Sequence, residues 1–247
     1  MRGARFEEEW STRALGAGFV AVGVMTVVFL LGYVVALVIA SRGGLGVLTT
    51  WFTALAYNQL TQAASDWLVL AVAVHLAFGL AWALVYAAFF ARRLPGPGWR
   101  RGMLFSLLPW LLSLLVFFPA VGAGVFGLAL GAGPLPVLGN LILHLAYGAT
   151  LGALYDLPIA EAGEPGEQRR AMLAAEHGII GGLLVGLVLG GAVGALLALA
   201  LPMASLIALV VGGATAGGAL GVVAGSLIGL SRSGVTSEQA PSRQQAG

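Results

Sequence analysis

Two copies of one short pattern hold the residues in this chain most able to do chemistry. His75-Leu76-Ala77-Phe78-Gly79 recurs as His144-Leu145-Ala146-Tyr147-Gly148, and a tyrosine follows each histidine by eleven residues, at Tyr86 and Tyr155. Each copy then reaches a Leu-Pro pair, Leu94-Pro95 and Leu157-Pro158. A neutral imidazole can bond a neighbouring helix, relay a proton or ligate a metal, and the three uses need different surroundings. In the first, each ring ties its helix to another through one nitrogen and packs with the rest. In the second, His75 and His144 line a polar path for a proton or small solute with Asn140, Thr150, Tyr86 and Tyr155. In the third, the pair ligates a b-type haem, although no arginine lies at the depth where haem propionates would need one. His177 follows Glu176 and has Gly181 after it but no matching tyrosine, so it reads as an interfacial residue.

The elements that must position these residues follow from composition. Only 9% of the 247 residues are charged and 59% are hydrophobic, with a mean hydropathy of +0.97. Such a chain cannot cover a water-facing surface, and its apolar runs reach the about 20 residues that a bilayer crossing requires. The expected class is all-α: a polytopic bundle of about six transmembrane helices over Leu15–Ala40, Trp67–Ala91, Gly102–Ala120, Pro134–Leu157, Gly178–Leu201 and Met203–Leu230. Pro109 and Pro119 interrupt the third span, and the glycine-rich Ala120–Gly133 stretch after it bends or re-enters the membrane.

All twelve basic residues are arginines, and with a cytoplasmic amino terminus eleven of them fall in inside segments while only Arg42 is outside. That bias predicts both termini in the cytoplasm and a location in the inner membrane. A signal-peptide reading of the first span, cleaved after Val38-Ile39-Ala40, is the alternative; the long apolar run and Glu7, Glu8 and Glu9 weigh against it.

Between the first two spans, Leu45, Leu48, Phe52 and Leu55 recur at helical spacing and predict a short amphipathic helix at the outer interface. Ser65-Asp66 reads as the cap of the second span. Leu94-Pro95-Gly96-Pro97-Gly98, enclosed by arginines, is a tight turn. The expected division is a four-helix region over 1–158, a polar cytoplasmic linker over 159–176, a glycine-rich transmembrane hairpin over 177–230 and a disordered cytoplasmic tail over 231–247.

If the copies are a true repeat, spans one with two and three with four are related hairpins about an axis along the membrane normal. His75 then lies about 12 Å and His144 about 15 Å from the start of its span, at similar depth. The region 67–158 resembles a family of small uncharacterised bacterial and archaeal membrane proteins with a His-x-x-x-Gly helix followed by a tyrosine. The resemblance implies a polytopic membrane protein and carries no reaction with it.

Beyond that region Gly182, Gly186, Gly190 and Gly194 are spaced four apart, and Gly213, Gly217, Gly221, Gly225 and Gly229 continue the spacing. Residues four apart share a helix face, so each helix presents a smooth groove, and the turn at Pro202 makes the two antiparallel neighbours.

The absent features are equally informative. With no cysteine there is no disulfide, thiolate metal site or iron-sulfur cluster. Clustered arginines between apolar runs do not form a nucleic-acid face. No carboxylate accompanies a membrane-depth histidine, and no strand precedes the glycine runs, so neither a catalytic triad nor a phosphate loop is built. The expectation is a non-enzymatic protein without a cofactor or metal, a structural or accessory subunit partnered by lipid, its own copies or other membrane subunits. The alternatives are a transporter using His75 and His144, and a haem-b electron carrier.

Overall fold

The computed structural model describes residues 2–44, 46–156, 165–200 and 206–232, with side-chain surroundings from Trp10 onward and, in the later helices, from His177 onward. Every regular element among these residues is helical. Five helical stretches are long and apolar enough to cross a membrane: Trp10–Ser41, Leu68–Phe90, Gly98–Ala120, Leu135–Tyr155 and Ile180–Ala200. The sixth expected span falls on a 27-residue helix, Leu206–Arg232, in which the apolar stretch is Leu209–Val222.

In chain order α1 (Arg2–Ser41) is followed by two short helices, α2 (Val47–Ala56) and α3 (Gln59–Asp66). Next come α4 (Leu68–Val85), prolonged by a π-turn over Tyr86–Phe90, and α5 (Gly98–Leu112), prolonged by a π-turn over Ser113–Phe117 and a last turn, α6 (Phe118–Ala120). A 3-10 segment (Val125–Leu130) leads to α7 (Leu135–Tyr155), and the chain ends in α8 (Pro165–Ala200) and α9 (Leu206–Arg232). The second π-turn adjoins Pro119, which lacks the N–H that would bond one turn back, so the ladder widens there.

Helix α1 is central and packs against α4, α7 and α9, while α5 packs chiefly on α7 and α8 on α9. Its buried residues Ala17, Ala21 and Val22 join Ala83, Tyr86, Phe105, Tyr147 and Leu151 in one core. The contacts are close because small residues meet. A Cβ on Gly79 would overlap Val22, and one on Gly18 would reach within 2.5 Å of the Ala83 Cβ. Cβ atoms on Gly98 or Gly102 would overlap the carbonyl oxygens of Gly152 or Gly148. Backbone meets backbone at α5/α7, a packing that only glycine permits.

The glycine ladder packs in the same way and has a definite register. Cβ atoms built on Gly182, Gly186, Gly190 and Gly194 would strike the carbonyls of Gly221, Gly217, Gly213 and Leu209, and one on Gly225 would strike that of Gly178. Each step of four up α8 is a step of four down α9, as antiparallel helices require. Gly229 lies in α9 beyond the residues whose contacts are described, and so does the turn expected at Pro202.

Several connections differ from expectation. The Ser65-Asp66 pair ends α3 and does not cap α4, whose N-cap is Trp67 with no side-chain bond. The cap with side-chain chemistry is Asn58, which accepts from the amides of Leu60 and Thr61 while Thr61 accepts from the Asn58 amide. The short helix expected between the first two spans is present as α2, and Phe52, Leu55 and Ala56 pack on Tyr33, Ala36 and Leu37 of α1. Leu48, one turn before Phe52, is exposed, and Leu45 is outside the described residues. The linker is helical from Pro165 on, since proline suits a first helical position and Ala, Met, Leu, Glu and Arg are good helix formers. The stretch after Ala120 bends. Positive φ at Gly122, Gly124, Phe126, Gly127, Gly131 and Gly133 folds it into a compact loop, and Gly133 lies against the ring of Trp51.

Candidate functional site

The sequence-predicted polar residues fall into two clusters on the same helices. In the first, His75 of α4 lies 3.3 Å from the Thr26 hydroxyl of α1, through its Nε2. Thr26 gives its one proton to the Val22 carbonyl at 2.8 Å, so the hydroxyl can only accept from the ring. The proton of a neutral His75 therefore sits on Nε2, and Nδ1 carries the lone pair. His144 of α7 is 2.8 Å, through Nδ1, from the Asn140 carbonyl one turn back, an oxygen that can only accept. Its proton sits on Nδ1, and the lone pair is on Nε2. The pair thus adopts opposite tautomers.

Beside them the Asn140 amide donates to the Ser113 hydroxyl, which donates to the Trp110 carbonyl at 2.7 Å. The Tyr147 hydroxyl donates to the Gly79 carbonyl at 2.6 Å and so ties one copy of the motif to the other. Thr150 turns back onto its own helix, giving its proton to the Ala146 carbonyl.

Tyr86 and Tyr155 are not with the histidines. They meet each other edge to face, ring centroids 5.8 Å apart, at the end of the bundle where the arginines are. Phe105 packs 5.2 Å from Tyr86. Around them Arg101 of α5 pairs with Asp156 at the end of α7 and donates to the Ala91 carbonyl after α4. Arg13 of α1 donates to the Tyr155 carbonyl at 2.8 Å, its guanidinium 5.5 Å from the ring centre. The ends of four helices are thereby joined.

The Tyr86 hydroxyl is fully buried and has no hydrogen-bond partner among the described residues. An unpaired buried hydroxyl costs roughly 1–3 kcal/mol. Tyr86→Phe, which removes only that oxygen, is therefore expected to raise stability by about 1 kcal/mol, read as a higher unfolding midpoint in mild detergent. A loss of stability would mean that the hydroxyl has a partner in the folded protein.

The His-x-x-x-Gly pattern does not point to Thr26, Ser113, Tyr147 or the Arg101–Asp156 pair. A second sequence match does bear on the helices that hold the first two: Arg13-Ala-Leu-Gly16-Ala-Gly18-Phe19 and Arg93-Leu-Pro-Gly96-Pro-Gly98-Trp99 share arginine, both glycines and an aromatic residue at an offset of 80. The same offset carries Thr26 to Ser106, which lies against Gly148. His177 is exposed on α8, at the mouth of the cleft between the glycine faces of α8 and α9. Among the described residues no three His, Cys, Asp or Glu side chains gather as metal ligands.

Comparison with known proteins gives one finding. Residues 9–162 match the model of DUF6789, a family of unknown function. No curated protein and no solved structure matches the chain. The matched stretch takes in α1 as well as the region 67–158, and it stops before the glycine hairpin. It spans more than half of the 247 residues, so the chain belongs to DUF6789, a family of unknown function.

Proposed function

We propose that this membrane protein is a non-enzymatic packing or accessory subunit of a larger membrane assembly, threaded through the inner membrane with both termini in the cytoplasm. The observation that carries this reading is that three polar side chains at membrane depth join one helix to another. His75 joins α4 to α1, Asn140 joins α7 to the end of α5, and Tyr147 joins α7 to α4. The four-helix part is built from two copies of one hairpin. Equivalent residues supply equivalent close contacts, Gly18 with Ala83 in the first copy and Gly98 with Gly152 in the second, which supports the duplication.

Under this reading His75→Ala removes one interhelical bond and lowers stability by about 1 kcal/mol, while His144→Ala, which loses a bond within its own helix, costs less. Vesicles reconstituted with the double variant would show the same proton leak as vesicles with the wild-type protein. A wild-type flux that disappears in a folded double variant would overturn the packing role.

That outcome belongs to the second reading, a path for a proton or small solute. The feature that favours it is the pair of ring nitrogens, His75 Nδ1 and His144 Nε2, which have no hydrogen bond among the described residues. Both are left free to accept a proton. A haem held through Nε2 of both rings has less support, because that atom of His75 is directed at Thr26.

A further inference from the structure

We propose that the turn between α4 and α5 is a binding site for the phosphate of an anionic phospholipid headgroup, with the acyl chains lying along the outer face of α5. Arg92 and Arg93 follow the π-turn that ends α4, and Arg100 stands in the first turn of α5; all three are exposed. Gly96 takes a φ of +101°, a left-handed conformation that only glycine adopts readily, and the Arg100 side chain folds back within 3.0 Å of where a Cβ on Gly96 would be. The chain reversal therefore folds Arg100 over the short turn that begins at Arg92 and Arg93.

The Asp156 carboxylate at this end of the bundle is already taken. Asp156 pairs with Arg101, and no ion pair to Arg92, Arg93 or Arg100 exists among the described residues. Three like charges at the end of two apolar helices repel one another and call for an anion. The start of α5 adds to that demand, since Pro97 gives its first-turn amides no side-chain acceptor.

What separates a lipid from a free phosphate ester is the apolar surface directly below. Trp99 is 51% exposed beside Arg100, Phe89 is 55% exposed on the α4 side, and Leu104, Leu107, Leu108 and Leu111 expose an apolar stripe down α5. An aromatic ring at the level of a basic cluster, with leucines beneath it, matches a headgroup, its glycerol and its chains in order.

The experiment uses the full chain, delipidated in mild detergent and titrated with phosphatidylglycerol or phosphatidylcholine while bound lipid is counted by native mass spectrometry. The wild-type protein is expected to retain phosphatidylglycerol in preference to phosphatidylcholine. In R92Q/R93Q/R100Q that preference falls about a hundredfold, each arginine near a membrane surface contributing about a factor of five. Because the three side chains are exposed, the variant keeps the fold, and an unchanged unfolding midpoint checks this. Arg42→Gln, in the connection after α1, leaves the preference intact. Undiminished preference in the triple variant would overturn the site, as it would if the arginines instead served the chain's own glutamates. Equal binding of soluble glycerol phosphate and of the lipid would overturn the assignment to a lipid.

Discussion

Gly186→Leu is expected to force α8 and α9 apart and to lower the unfolding midpoint in mild detergent by about 10 °C. A Cβ at this position would overlap the Gly217 carbonyl, and a backbone oxygen cannot swing aside as a side chain can. Overpacking a flexible core costs about 1–3 kcal/mol, and a contact between two backbones belongs at or beyond the upper end of that range. The neighbouring control is Gly181→Ala. Gly181 has nothing within 4 Å of its Cβ position, so its alanine variant should melt with the wild-type protein or slightly above it, since alanine favours helix. If both variants lost the same stability, the close contact at Gly186 would not be the cause, and the ladder would not be the contact described.

The second large effect is expected at Gly148→Leu. The glycine of the second motif copy lies against the Gly102 carbonyl and Ser106, so a side chain there would push α5 from α7 in the centre of the four-helix part. A loss of about 3 kcal/mol or more follows, enough to leave most of the protein aggregated on extraction. Gly139→Ala, on the same helix with open space around it, should extract normally. The equivalent change in the first copy, Gly79→Leu, would meet the Val22 side chain, which can rotate. Its cost should be smaller, and an inverted order of the two losses would contradict the close backbone contact at α5/α7.

The ease of reading the sequence varied with the kind of signal. The glycine spacing fixed a face on each of α8 and α9, because residues four apart must lie together whatever surrounds them. The register between the helices could not be read, since it depends on a turn whose length the pattern leaves open. The histidine motif marks two helices, yet it offers no partner for either ring. Thr26 and Ser113 look like ordinary residues of apolar spans, and only the docking of α1 and α5 brings them to α4 and α7. Tyr86 and Tyr155 were grouped with the histidines by spacing along the chain. Eleven residues of helix, about 16 Å, separate them from the rings in space, and they belong to the arginine end. The Ser65-Asp66 pair failed as a cap signal because Asn58, with Thr61 three residues on, makes the stronger box and starts a separate helix upstream.

Both clusters also bear on what the chain does with its neighbours in the membrane. Knitted internally by side chains and by glycine contacts, the four-helix part has little left to rearrange. Helix α8 touches α9 along one face and presents Val185, Val188, Leu189, Leu196 and Leu199 on exposed surface, where lipid or another protein must lie. An accessory subunit needs that combination of a rigid body and a free apolar flank.

Native mass spectrometry of the complex, extracted gently from its own membrane without overexpression, tests this most directly. The account predicts a species heavier than the 25.1 kDa chain with bound lipid, holding a second copy or another subunit in fixed ratio. A lone 25.1 kDa chain, stable and folded after the mildest extraction, would contradict it.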